Sequence, residues 1–310
     1  AITVMWVFIS VTDRLYMQAH RAVVLKSAIC ITAVSGVSED TGNKKIEKMN
    51  FKKHFKTKLF SFFYRNKRIS PPQKDELKIW QGENSENIAT QKIPKIIWTY
   101  WNTPTLPAVV KACIKSWEVQ NPDFEINLLT PENILDFLPA FKKENLQLSP
   151  ANFSDLVRLQ LLKKYGGFWL DATIIINDSL NHYIKLIEHE DLNLLAFSSK
   201  DHPNHKDYPM IESWFLGTHQ ENELISSWLH HLEQCFENKQ PEDYFKSNTE
   251  RKIGFESVKE NRRDYLYVYM ASQVAMREVK NVKVGLLSTE KNGLFYQNYF
   301  HFNHEKGIRS

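Results

Sequence analysis

A chain of 310 residues, 42% hydrophobic and 13% aromatic, can bury a full core, which excludes a disordered or fibrous protein. Its net charge of +4 is uneven: ten Lys/Arg against the single acid Glu47 between Lys44 and Arg68 give a local +9, leaving the rest of the chain at −5. Three widely spaced cysteines, Cys30, Cys113 and Cys235, argue against a disulfide scaffold or a cysteine-held zinc and for a reducing compartment.

In chain order, Ile2–Val11 and Ala22–Val37 are apolar, the second interrupted by Lys26, and neither has the roughly 18–20 residues that span a bilayer. No basic region precedes the first run, so it does not read as a signal peptide. Residues 1–48 are compatible with an extension that has no structural role, ahead of a more natural opening at Met49. Residues 51–68 interleave Phe51, Phe55, Leu59, Phe60, Phe62, Phe63 and Tyr64 with lysines. At helical spacing this makes an aromatic stripe and a basic face, suited to an anionic membrane surface. A helix docked on the body, or a solvated basic tail, would read the same way. No nucleic-acid-binding motif accompanies the charge, so nucleic acid is not an expected partner. Ser70-Pro71-Pro72 breaks the pattern and Gln73–Gln91 reads as a polar linker, so residues 49–92 form a leader and linker.

From residue 93 to 310 strands and helices alternate. Strands are expected at Lys95–Trp101, Glu125–Thr130, Phe168–Ile176, Leu192–Ser198, Trp214–Thr218, Val282–Leu287 and Leu294–Phe300. Helices are expected at Leu106–Gln120, Pro131–Leu138 (capped by Thr130), Asn152–Tyr165, Glu221–Glu237 and Arg262–Val279. The alternation predicts an α/β domain with a mostly parallel central sheet flanked by helices, and ligands at the carboxyl ends of its strands.

The segment 151–178, ANFSDLVRLQLLKKYGGFWLDATIIIND, is the most informative. Ser149-Pro150 can start its helix and Gly166-Gly167 can end it with a left-handed cap. Asp155 and Arg158 share a helix face. In the following strand Trp169, Asp171 and Thr173 point one way, and Asp171 is a lone acid in an apolar run, which requires a cation, hydroxyl donors or a metal as partner. Taken singly, Asp155–Arg158 reads as a surface pair and Asp171 as a strand end. Taken together, they form a polar cluster that packing does not require.

Ser154-Asp155-Leu156-Val157-Arg158, Tyr165-Gly166-Gly167 and Trp169-Leu170-Asp171-Ala172-Thr173 resemble the sugar-binding region of DXD-containing glycosyltransferases. The texture is similar to the capsular polysaccharide synthesis family, which itself resembles yeast outer-chain mannosyltransferases and the glucosylating clostridial toxins. IPKIIWTYWN (Ile93–Asn102) and SWEVQNPDFEINLLTPENI (Ser116–Ile134) resemble the family's first strand, helix and second strand. The resemblance implies a GT-A-like single domain that moves a sugar from a nucleotide donor, UDP-linked, with retention of configuration, to a lipid-linked or polysaccharide acceptor. Such an enzyme would be cytoplasmic and peripheral on the membrane. By resemblance Asp155 and Arg158 hold the donor sugar, Asp171 binds ribose or sugar and helps place Mn²⁺ or Mg²⁺, and Trp101 stacks on the nucleobase, with Trp98 the second choice. Glu212 and Trp214 lie where relatives face donor or acceptor. One departure stands out: Thr173 takes the place of the second DXD acid, supplying an oxygen without charge, so either the metal is held more weakly or another ligand completes the site, with His301 and His304 as candidates. A catalytically silent nucleotide-sugar-binding scaffold, with Thr173 marking a lost metal site, is the alternative from another class. A toxin-like enzyme acting on a protein is a third.

Overall fold

The computed structural model describes residues 4–6, 77–84, 91–141, 147–199 and 207–294. The basic-aromatic segment 51–68, Cys30, His301 and His304 lie outside these, as does most of the strand expected at Leu294–Phe300.

The strands are β1 (Val4–Trp6), β2 (Lys78–Gln81), β3 (Ile96–Tyr100), β4 (Glu125–Leu129), β5 (Gly167–Leu170), β6 (Ile174–Ile176), β7 (Leu194–Ser198), β8 (Glu212–Thr218) and β9 (Lys283–Ser288). The helices are α1 (Ala108–Gln120), α2 (Ile134–Phe137), α3 (Pro150–Tyr165), α4 (Asn181–His189), α5 (Glu223–Glu237), α6 (Pro241–Lys246), α7 (Thr249–Glu256) and α8 (Tyr267–Glu278). Among the described residues, seven strands form one sheet in the order β2-β9-β7-β8-β5-β3-β4. Five of them run in one direction; β8, near the middle, and β2, at an edge, oppose it. The sheet is mostly parallel, as the alternation of elements predicts.

Alternation along β5 explains why both faces are covered. Trp169 enters the core beneath α3, α5 and α8, while Phe168 and Leu170 enter the opposite core with Cys113 and Trp117 of α1 and Tyr183 and Ile184 of α4. Ser149 caps α3 by accepting the Asn152 N–H at 3.2 Å, with Pro150 at the first position. The helix stops where expected, at Gly166 (φ +66°), and Gly167 (φ +90°) turns the chain into β5.

The structure corrects the sequence reading at four places. The strand expected over Phe168–Ile176 is broken: the chain turns at Asp171–Thr173, closed by the Ile174 N–H on the Asp171 carbonyl at 3.0 Å. What draws Ile174–Ile176 out of the sheet is α1, where the Trp117 indole donates to the Ile174 carbonyl at 2.8 Å and the Ser116 hydroxyl accepts the Ile176 N–H at 3.2 Å. The short strand so released pairs antiparallel with Val4–Trp6. The helix expected from Pro131 begins only at Ile134, because Asn133 accepts the Thr130 N–H at 2.7 Å and donates to the Leu128 carbonyl, holding Pro131–Asn133 as a turn. Lys78–Gln81, inside the stretch read as linker, is a strand paired with Lys283–Leu286. The last long helix starts at Tyr267 rather than Arg262, since Glu260–Arg262 forms a 3₁₀ turn.

Candidate active site

The carboxyl ends of β3, β4, β5, β7 and β9 share one edge of the sheet, and the reversed strand β8 brings its amino end there. Asp171 follows β5 at this edge, and its N–H donates to the Trp214 carbonyl of β8 at 3.0 Å. Arg158, one turn below Asp155 on α3, joins the two acids: Nη1 donates to Asp155 Oδ1 at 2.7 Å and Nη2 to Asp171 Oδ1 at 2.8 Å. The Trp169 indole N–H also donates to Asp171 Oδ1 at 2.8 Å, and the Arg158 guanidinium lies 4.9 Å from the centre of that ring. So the pair on α3 is no surface ion pair: the Arg158 side chain is 4% exposed and that of Asp155 11%. The cation that Asp171 requires is Arg158.

Burial pushes the Asp155 carboxyl up to about 7, against the pull of Arg158, and the Asp171 charge adds to the rise. Asp171 is a quarter exposed and accepts both the Arg158 and the Trp169 bond at Oδ1, so among the described residues Oδ2 has no partner. That oxygen is available to a ligand hydroxyl or a cation. One turn before Asp155 on the same face, Asn152 buries its Oδ1 without a partner.

The other expected residues divide by position. Trp101 is half-buried directly after β3 at the same edge, its N–H bonded to the Leu129 carbonyl at 2.9 Å. Trp98 lies within β3 in the core, donating to the Gly166 carbonyl at 2.9 Å and packing on Phe137 and Tyr165, so it braces the turn between α3 and β5. Glu212 and Trp214 are buried at the start of β8, the Trp214 indole donating to Glu212 Oε2 at 3.1 Å while its ring stacks on Phe197 at 4.6 Å. Thr173 is half-buried in the turn after Asp171.

For a divalent cation the described residues offer the free Asp171 Oδ2 and the Thr173 hydroxyl. Among them no group of three His, Cys, Asp or Glu converges to hold a metal, so these residues do not make a complete site by themselves.

Sequence reasoning missed Trp169 as a donor to Asp171, Asn152, and Tyr269 of α8, whose hydroxyl donates to Glu212 Oε2 at 2.7 Å. The i−3 spacing from Asp155 could have shown Asn152, and strand alternation could have shown Trp169. Nothing local could have shown Tyr269.

A carboxylate–guanidinium cluster thus stands at the carboxyl-end edge of a mostly parallel α/β sheet, the edge where such sheets take their ligands. A family model described as capsular polysaccharide synthesis protein matches residues 43–300, and the chain belongs to that family. Inositol phosphoceramide mannosyltransferase 3 of Schizosaccharomyces pombe (strain 972 / ATCC 24843) is 35% identical over 120 residues, covering 35% of this chain and 33% of the relative. The match thus spans about a third of that curated relative's length. A solved structure titled PaToxG Glycosyltransferase aligns over 65% of this chain and 82% of its own, at 13% identity and a TM-score of 0.30, and nothing is carried from it to this chain.

Proposed function

We propose that this chain is a glycosyltransferase of GT-A type that transfers a sugar from a nucleotide donor, UDP-linked, to a capsule or surface-polysaccharide acceptor, lipid-linked or free. The observation that carries the reading is the Asp155–Arg158–Asp171 cluster at the strands' carboxyl ends. Membership of the capsular polysaccharide synthesis family and the partial match to a mannosyltransferase support it.

Breaking the bond between the anomeric carbon and the diphosphate leaves positive charge on the sugar and negative charge on the leaving group. Groups already fixed in place stabilise such charge without reorganising. Arg158 is fixed by two carboxylates, and each of those carboxylates keeps a second oxygen. In this reading Asp155 and Asp171 accept hydroxyls of the donor sugar or ribose, and Trp101 carries the base on its ring. A raised Asp155 pKa leaves that carboxyl partly neutral near pH 7, so it can also donate to a sugar oxygen. Mn²⁺ or Mg²⁺, when bound, would neutralise charge on the diphosphate. Asp171 and Thr173, with His301 or His304, would be its ligands. Retention of configuration rests on the resemblance. The segment 51–68 would dock on an anionic membrane, the protein remaining peripheral on the cytoplasmic side. No described helix is long and apolar enough to cross a bilayer.

The test is binding and transfer with UDP-glucose, UDP-galactose, UDP-N-acetylglucosamine and GDP-mannose, with and without EDTA. Turnover with at least one donor, cut 100-fold or more by Asp171→Asn, is the expected result. Absence of binding to any of the four, or an unaffected Asp171→Asn, overturns the assignment. Binding without turnover would mark a silent scaffold.

A further inference from the structure

β8 does not pair evenly with β7. Leu194, Leu195 and Ala196 face Thr218, Gly217 and Leu216 in step, then Phe197 faces Glu212, so Ser213–Phe215 bulge out of the ladder. Bulges re-aim side chains beside functional sites. On the other side of β8 the register with β5 continues unbroken, so the Trp214 carbonyl accepts the Asp171 N–H while the Trp214 indole donates to Glu212. Glu212, buried at the amino end of β8, stands at the sheet edge where Asp171 follows β5.

A buried carboxylate needs donors. Trp214 supplies one at 3.1 Å, and the shorter bond, at 2.7 Å, comes from the Tyr269 hydroxyl of α8. Trp214 ties this pair to the cluster, since its indole donates to Glu212 while its backbone carbonyl accepts the Asp171 N–H. Burial in this surrounding, with the Glu212 charge, raises the Tyr269 hydroxyl well above its ordinary value, so it serves as a donor.

We propose that Tyr269 is a positioning residue that fixes the Glu212 carboxylate beside the Asp155–Arg158–Asp171 cluster, where Glu212 binds a hydroxyl of the transferred sugar. The inference rests on the glycosyltransferase reading. It assigns to α8, which contributes no motif residue, control over the sugar half of the donor and not over the nucleotide half. Trp101 and the β3–β4 end lie on the far side of β5 from β8, so a nucleoside diphosphate bound there does not depend on Glu212.

The experiment is calorimetric binding of the best nucleotide sugar of the panel above and of its own nucleoside diphosphate. Tyr269→Phe keeps the ring and removes the hydroxyl. It is expected to weaken the nucleotide sugar about tenfold, the scale of one hydrogen bond to a charged group, and to leave the nucleoside diphosphate unchanged. Glu212→Gln should weaken the sugar nucleotide at least as much, and the double variant no more than Glu212→Gln alone. Equal weakening of both ligands, or additive single effects, assigns Tyr269 a structural role and overturns the proposal. So does unchanged binding in Tyr269→Phe. If the parent chain binds none of the four donors, the glycosyltransferase reading fails and this proposal with it; if it binds them and only Tyr269→Phe is silent, the reading stands.

Discussion

Asp155 lies against Arg158 and yet titrates near neutrality, because burial outweighs the attraction of the guanidinium and Asp171 adds a like charge. The consequence for stability has a definite sign. A carboxyl raised in the folded state contributes stability that is fully present below its ordinary value and is lost as pH rises through about 7. The protein should therefore become easier to unfold in urea as pH rises from about 4 to about 7, and Asp155→Asn, which cannot ionise, should flatten that slope. Equal slopes in the two proteins would contradict it. This residue and its partner were legible in the sequence from their i,i+3 spacing, and Asp171 from being a lone acid in an apolar run. The upward push on the Asp155 carboxyl was not legible, since it comes from burial under the folded helix. Glu212 stood out as an acid at a strand start, but its partner Tyr269 arrives from another helix and carries no local mark.

At the scale of elements, the Gly166-Gly167 junction decides where α3 and β5 stand relative to each other. A Cβ on Gly167 would lie 2.6 Å from the Ile96 carbonyl oxygen, and φ of +90° disfavours any L side chain. Gly167→Ala is expected to destabilise the fold by about 2 kcal/mol or more, read from the urea midpoint. Because the junction links Asp155 and Arg158 to Asp171, donor affinity should fall in the same variant, and normal affinity would show that the cluster tolerates the shift. The stop at the glycine pair could be read directly, since nothing but glycine suits two successive positive φ values. The break after Leu170 could not. Three isoleucines continue a strand pattern, and the groups that take up their backbone bonds, Ser116 and Trp117, come from a helix 57 to 60 residues earlier. Lys78–Gln81 was hidden for a similar reason: its partner strand lies at the other end of the chain.

For the whole molecule, the α/β class and the mostly parallel sheet followed from the alternation of elements. The two reversed strands did not, because strand direction depends on pairing and not on composition. Charge is a property at this scale too, with +9 concentrated in Lys44–Arg68 and −5 on the remainder. If the leader docks on a membrane, each lysine near an anionic surface contributes about 1 kcal/mol. Replacing Lys52, Lys53, Lys56 and Lys58 with glutamine should then weaken binding to phosphatidylserine-containing vesicles by roughly fivefold per charge, with no change on neutral vesicles. Binding that survives the replacement, or that ignores vesicle charge, would refute the docking. The pairing of β2 with β9 carries a last consequence, for the way the protein is made. A nascent chain releases β2 early and β7 at mid-length, but the strand that lies between them emerges only with Lys283–Ser288. Until then two open edges wait for one late arrival, and the growing chain must be kept from pairing them with anything else.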